Sequence, residues 1–148
     1  MAFATLSDLL IVDATIQDYG IQEWDYELAK AESDVTKVIK VRWWPQFLKG
    51  KRVNIQVADG YEINTSLLDP TQWTEITCYY ALAFYILPKL SKFEANPDRF
   101  RNMMDYYSQR FEALMDLELR SGVRYDADHD TQFESAETTA ISSLRLVR

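Results

Sequence analysis

Asp69-Pro70-Thr71-Gln72-Trp73-Thr74-Glu75-Ile76-Thr77-Cys78-Tyr79-Tyr80-Ala81-Leu82-Ala83-Phe84-Tyr85-Ile86-Leu87 is the stretch on which the reading of this chain turns. It opens as a helix. Aspartate can accept from the free amides of a first turn, and proline fits the first helical position, where no N–H is needed. A glutamine three residues after the cap can bond back to it. The predicted helix runs to about Leu87 or Leu90. Trp73, Ile76, Tyr80, Phe84 and Leu87 form one apolar stripe, but Tyr79, Leu82 and Ile86 make the far side apolar too. A helix apolar nearly all round is buried on several faces, so this one is central or meets another subunit.

Upstream, Ser7-Asp8 caps a short helix that carries Leu9, Leu10 and Val12 and stops by Gly20. A second helix is predicted over residues 21–44. Its stripe is Trp24, Leu28, Ala31, Val35, Val38 and Ile39, with Glu23, Glu27, Lys30, Lys37 and Lys40 on the opposite face. Pro45 ends it, because the residue before a proline is pushed out of the α region. Between the second and central helices the period changes. Val53-Asn54-Ile55-Gln56-Val57 and Tyr61-Glu62-Ile63 alternate around Asp59-Gly60, as in a short hairpin. Downstream, Asn96-Pro97 opens a last helix with the stripe Phe100, Met103, Met104, Tyr107, Phe111, Leu114 and Leu117, ended by Ser121-Gly122.

The fold class expected is therefore mainly α. Residues 1–122 form a small helical bundle with a protruding loop or hairpin over residues 46–68, and residues 123–148 form an acidic turn and an extended C-terminal arm. A chain of 148 residues with 47% hydrophobic and 14% aromatic content can build one core of its own. Tyr79 to Leu87 is the longest apolar run, about half of what spans a bilayer, so no membrane partner is expected. Met1-Ala2-Phe3-Ala4 lacks the basic start of a secretory leader, and a lone Cys78 suits a reducing compartment.

Composition narrows the chemistry. A net charge of -7 disfavours broad nucleic-acid binding, and the basic patches Lys37 to Arg42 and Lys49 to Arg52 read first as solvated surface. Counted from Asp126, carboxylates stand at positions 1, 3, 5, 9 and 12, the calcium-ligand spacing of a helix–loop–helix site. Thr131 occupies the position where the sharp turn wants glycine, and the preceding helix stops at Gly122. Asp126, Asp128, Asp130 and Glu137 are thus expected to make an acidic, solvated turn without a tight metal site. His129 is a lone histidine within that run. No paired histidines, glycine-rich phosphate loop or nucleophile elbow accompanies it, so neither catalysis nor a cofactor is expected. Asp116 and Glu118 are an ordinary acidic helix pair. Trp43-Trp44, Met103-Met104 and Tyr106-Tyr107 read as packing, in the core or between subunits.

Several of these segments taken together resemble the small head–tail connector (adaptor) proteins of tailed bacteriophages. They are Val41-Arg42-Trp43-Trp44, Asp69-Pro70-Thr71-Gln72 with Tyr79-Tyr80-Ala81-Leu82, Tyr106-Tyr107-Ser108-Gln109-Arg110-Phe111, and Tyr125-Asp126-Ala127-Asp128-His129-Asp130. The resemblance covers the chain from Trp24 to Glu137. It implies a virion protein of the neck, assembled in the host bacterial cytoplasm as a dodecameric ring beneath the portal protein, with genomic DNA passing through the lumen without specific binding. On this resemblance the arm carrying Ile141, Leu144, Arg145, Leu146 and Arg148 docks onto the portal, and the loop carrying Val53, Ile55 and Tyr61 meets the next tail or neck protein. The arm's own chemistry agrees with a partner. Ordering such a segment loses roughly 1–2 kcal/mol per residue, which backbone pairing and pockets for Leu144 and Leu146 on another surface would offset. A different class fits the same composition: a cytoplasmic helical protein-interaction or regulatory module acting as a dimer.

Overall fold

Asp69 begins the central helix as its sequence implies. Its Oδ1 accepts from the Thr71 amide at 3.1 Å and from the Thr71 hydroxyl at 2.7 Å. This computed structural model describes residues 3–19, 21, 23–45, 63, 65–92, 98–126 and 138–139. In chain order they form α1 (Leu6–Val12), a 3-10 turn (Ile16–Tyr19), α2 (Asp25–Arg42) and a second 3-10 turn (Thr65–Leu67). Then come α3 (Pro70–Ala81), a π turn (Leu82–Ile86), α4 (Leu87–Ser91), α5 (Asp98–Ser121), and a ribbon of β1 (Val123–Arg124) and β2 (Thr138–Thr139). The ribbon is antiparallel, with Val123 opposite Thr139 and Arg124 opposite Thr138. The fold is a small, mainly helical bundle. α3 is its axis, packed by α1, α2 and α5.

Gln72 departs from the expected return bond to the cap. The N–H of Asp69, which that bond would serve, donates instead to the Arg124 carbonyl at 3.3 Å. The buried Gln72 amide faces the end of α5. Its Nε2 donates to the Gly122 carbonyl at 2.7 Å and to the Glu118 carboxylate at 2.9 Å, and its Oε1 accepts from the Arg124 N–H at 3.0 Å. Asp69 Oδ2 adds an ion pair with Arg124 at 2.9 Å. One end of α3 is thereby tied to the end of α5 and the start of β1. Gly122 makes the turn possible with φ 123°, a value open to glycine and unfavourable for side chains with a Cβ.

Other expectations are corrected in detail. The first helix is capped by Thr5 rather than Ser7-Asp8. The Thr5 amide and hydroxyl both donate to Asp8 Oδ2, at 2.8 and 2.9 Å, so Asp8 closes a capping box. It stops at Val12 because Asp13 Oδ1 draws in the Thr15 amide and hydroxyl at 3.1 and 2.8 Å, a local turn that competes with helix. α2 starts at Asp25, not Ile21, with Trp24 as its cap. Glu27, expected on the solvent face, is buried beside Lys89 at 3.2 Å. In α5 the buried stripe runs Phe100, Tyr107, Phe111, Met115, Leu119, whereas Leu117 is 59% exposed. Leu117 stands six residues from Phe111, about 240° round the helix at 3.6 residues per turn.

The central rod widens at Leu82–Ile86, where the Leu87 N–H reaches back five residues to the Leu82 carbonyl. Pro88 follows at once and has no N–H for the preceding turn, which is the physical reason the α pattern gives way there. Phe84 leaves the expected stripe and is 48% exposed.

The core is unusually aromatic at one end. Trp43 and Trp44 pack against Tyr125 at ring distances of 5.6 and 5.3 Å, and Tyr125 itself is fully buried. These tryptophans therefore pack the chain's own interior. Leu68, at the end of the segment expected to protrude, is also buried and bridges to Tyr125. Burying an indole of about 200 Å² contributes roughly 5 kcal/mol gross at about 25 cal/mol per Å².

The Gln72 ties generate a prediction. Gln72→Leu keeps the volume but leaves the Gly122 carbonyl and Arg124 N–H without their partner. Leaving buried polar groups unsatisfied costs about 2–3 kcal/mol, so urea unfolding should show a lower midpoint at unchanged slope. A loss below about 0.5 kcal/mol, the range of ordinary surface substitutions, would show that these bonds are not what joins α3 to α5.

Candidate functional site

Two exposed apolar surfaces lie on different flanks of the central rod. The first is a groove of about 430 Å³ between α1, α3 and α5. Ile11 and Val12 line it from the last turn of α1, Thr74, Glu75, Cys78 and Tyr79 from α3, and Tyr106 and Tyr107 from α5. Ile11 is 83% and Tyr106 57% exposed. Tyr79 and Tyr107 stack with ring centres 5.8 Å apart, Tyr106 meets Tyr107 edge-on at 5.2 Å, and the Arg110 guanidinium lies 5.5 Å from the centre of the Tyr79 ring. The α1 and α3 walls carry acid. Asp8 belongs to the lining, and Glu75 accepts from the Tyr79 hydroxyl at 2.6 Å. Burial, reinforced by Asp8 and Glu75, pushes the Cys78 thiol up to about 12. It is an inert, protonated thiol near neutrality.

The second surface lies between α2 and the π turn. Tyr80 points about 100° round the rod from Tyr79, as one helical step requires. It packs against Phe84 and, edge-on, against Phe111 at 4.5 and 5.0 Å. The Tyr85 hydroxyl donates to Asp34 on α2, and Lys30 lies over the Tyr85 and Tyr26 rings at 5.2 and 5.5 Å. Tyr26 and Val41 on α2 are 70% and 74% exposed.

The sequence-predicted residues fall differently. Asp126 is buried rather than solvated, and its N–H donates to the Leu67 carbonyl at 3.0 Å. Asp128, His129, Asp130 and Glu137 lie outside the described residues. So do Val53, Ile55 and Tyr61 of the loop and Ile141, Leu144, Arg145, Leu146 and Arg148 of the arm. Among the described residues no cluster of metal-ligating side chains occurs, and no helix is long and apolar enough to cross a membrane. In the first basic patch Lys37 pairs with Asp34 at 3.7 Å and Arg42 with Glu112 at 3.1 Å, so both have partners within the fold.

The groove is not legible in residue order. Ile11 sits in the first helix beside Leu9, Leu10 and Val12, and Tyr106 adjoins Tyr107 of the core stripe. Only the placement of α1 and α5 against α3 brings them together. The available signal was two apolar residues off their helices' buried faces, Ile11 two positions from Leu9 and Tyr106 one from Tyr107. Comparison with family models, with curated proteins and with solved structures found no match to this chain.

The second surface has a pH signature. Burial, then the charge of Asp34, pushes Tyr80 up to about 12, while the Asp34 hydrogen bond, then burial, pushes Tyr85 up to about 12. Both are raised above the ordinary value of 10.0, so the folded state holds these protons more tightly than the unfolded chain. Their contribution to stability is complete below pH 10 and is lost as pH rises from about 10 to about 12. Asp34→Asn should bring part of the phenolate absorbance rise down toward pH 10. An unchanged titration would mean that Asp34 does not govern these hydroxyls.

Proposed function

We propose that this chain is a structural assembly subunit, the connector of a tailed phage, forming a ring between portal and tail. The observation that carries the reading is the pair of exposed apolar surfaces on different flanks: Ile11 and Tyr106 on one, Val41 and Phe84 on the other. A ring needs two different faces on each subunit, because its interfaces are head-to-tail, whereas a two-fold dimer needs one self-complementary face. Contiguous exposed apolar surface is what marks interaction sites. The resemblance of the Tyr79-Tyr80-Ala81-Leu82 and Tyr106-to-Phe111 segments supplies the particular assignment. The arm with Leu144, Arg145 and Arg148 would then grip the portal or the adjacent subunit, and the loop with Val53, Ile55 and Tyr61 would face the tail side. A dimeric cytoplasmic interaction module is the competing reading.

Mass measurement of the chain alone and with a portal ring tests this, using Tyr106→Asp and Val41→Asp. Both side chains are exposed, so melting should move little. Each variant should fail to form rings, and an equimolar mixture should stop at a heterodimer, the one interface left intact. If one variant still dimerises as well as the unmodified chain, the two-fold module is correct and the ring is not.

A further inference from the structure

The groove between α1, α3 and α5 and the surface between α2 and the π turn differ in charge as well as in place. Asp8 on α1 and Glu75 on α3 both line the groove. Each helps to raise the Cys78 thiol of the same lining, so their negative fields overlap there. Among the described residues each carboxylate uses one oxygen within the fold, Asp8 Oδ2 toward Thr5 and Glu75 Oε1 toward the Tyr79 hydroxyl. Arg110 lies over the Tyr79 ring from α5, so the acid is concentrated on the α1 and α3 walls.

The second surface carries the opposite sign. Along α2, Tyr26, Lys30, Lys37 and Val41 recur at four- and seven-residue steps and share one exposed face. Lys37 is balanced by Asp34 at 3.7 Å, as Arg42 is by Glu112 and Lys89 by Glu27. Lys30 is held differently. Its ammonium lies over the rings of Tyr85 and Tyr26, and among the described residues it pairs with no carboxylate. One flank thus offers two carboxylates and the other a cation seated only on aromatic faces. A two-fold contact would set acid against acid or lysine against lysine. A head-to-tail contact sets each against its opposite.

We propose that the groove of one subunit receives the Tyr26–Lys30 ridge of a second copy's α2, with the Lys30 ammonium at Asp8 and Glu75 and Tyr26 against Ile11 and Tyr106. The assignment rests on the connector reading, and adds which parts of the two faces meet and through which charges. The lysine stem adds apolar contact while its head keeps to the carboxylates. A pair enclosed at the contact is screened far less than the net repulsion between whole chains.

The heterodimer of the Tyr106→Asp and Val41→Asp chains tests the pairing, because it holds a single contact: the groove of the Val41→Asp chain on the α2 face of the other. Lys30→Gln is added to the Tyr106→Asp chain and Glu75→Gln to the Val41→Asp chain. Glutamine keeps an acceptor for the Tyr79 hydroxyl, and unchanged melting checks that each chain folds. Each substitution should raise Kd about tenfold, and the two together also about tenfold rather than about a hundredfold, the coupling of a close charge pair across an interface. Lys30→Gln placed instead in the Val41→Asp chain, whose α2 face is idle, should leave Kd unchanged. Exchanging the charges, Lys30→Glu against Glu75→Lys, should recover association that either alone weakens. Independent losses or an unchanged Kd would overturn the pairing, leave the groove to another cationic partner, and let the ring reading stand. If no heterodimer forms, the ring reading and the pairing fall together.

Discussion

A single buried amide joins parts of this fold that lie 50 and 52 residues apart in sequence. Gln72 satisfies the carbonyl that ends α5 and the N–H that begins β1, while Asp69 caps α3 and pairs with Arg124. Hydrophobic burial brings α3 and α5 together but does not fix their relative height. The directional bonds do, and with that height come the stacking of Tyr79 on Tyr107 and the edge-on contact of Tyr80 with Phe111. The aromatic cluster of Trp43, Trp44 and Tyr125 depends on the same junction, since Tyr125 is carried into the core by the strand that Gln72 holds.

Much of the helical architecture could be read from residue order. Asp69-Pro70 fixed the start of α3, Gly122 the end of α5, and Trp24 to Ile39 the buried face of α2, because caps and periodicity are local properties of sequence. What was not legible depends on contacts made across the fold. The chemistry of Gln72 is identical at a cap and at a clasp, and only the arrival of Arg124 decides between them. Glu27 reads as surface until Lys89 is brought beside it. Leu117 and Met115 exchange roles because two helical steps put them on nearly opposite faces of α5, which a list of apolar residues does not reveal. Of the two apolar surfaces, Tyr80 and Phe84 were visible as residues, yet neither surface was visible as a place.

The acidic character of the chain bears on how those surfaces would be used. With a net charge of -7, copies repel at long range, and apolar contact must overcome this at short range. Cationic groups near the surfaces soften the effect. Arg110 stands by the groove and Lys30 by the second surface. In the proposed ring, association would therefore strengthen with ionic strength up to the point where screening is complete.

The π turn has a consequence for the far end of the rod. One residue is threaded into Leu82–Ile86 beyond what an α-helix would hold, and everything after it is rotated accordingly. Lys89 owes its bearing to that rotation. It lies 3.2 Å from Glu27 and 5.7 Å from the centre of the Trp24 ring, both at the opening of α2. Removing one residue from the turn would restore ordinary helix and swing Lys89 by about 100°, taking the ammonium away from the buried Glu27 carboxylate. The wide turn therefore works as a phase setter, keying the end of one helix to the beginning of another through a single inserted residue.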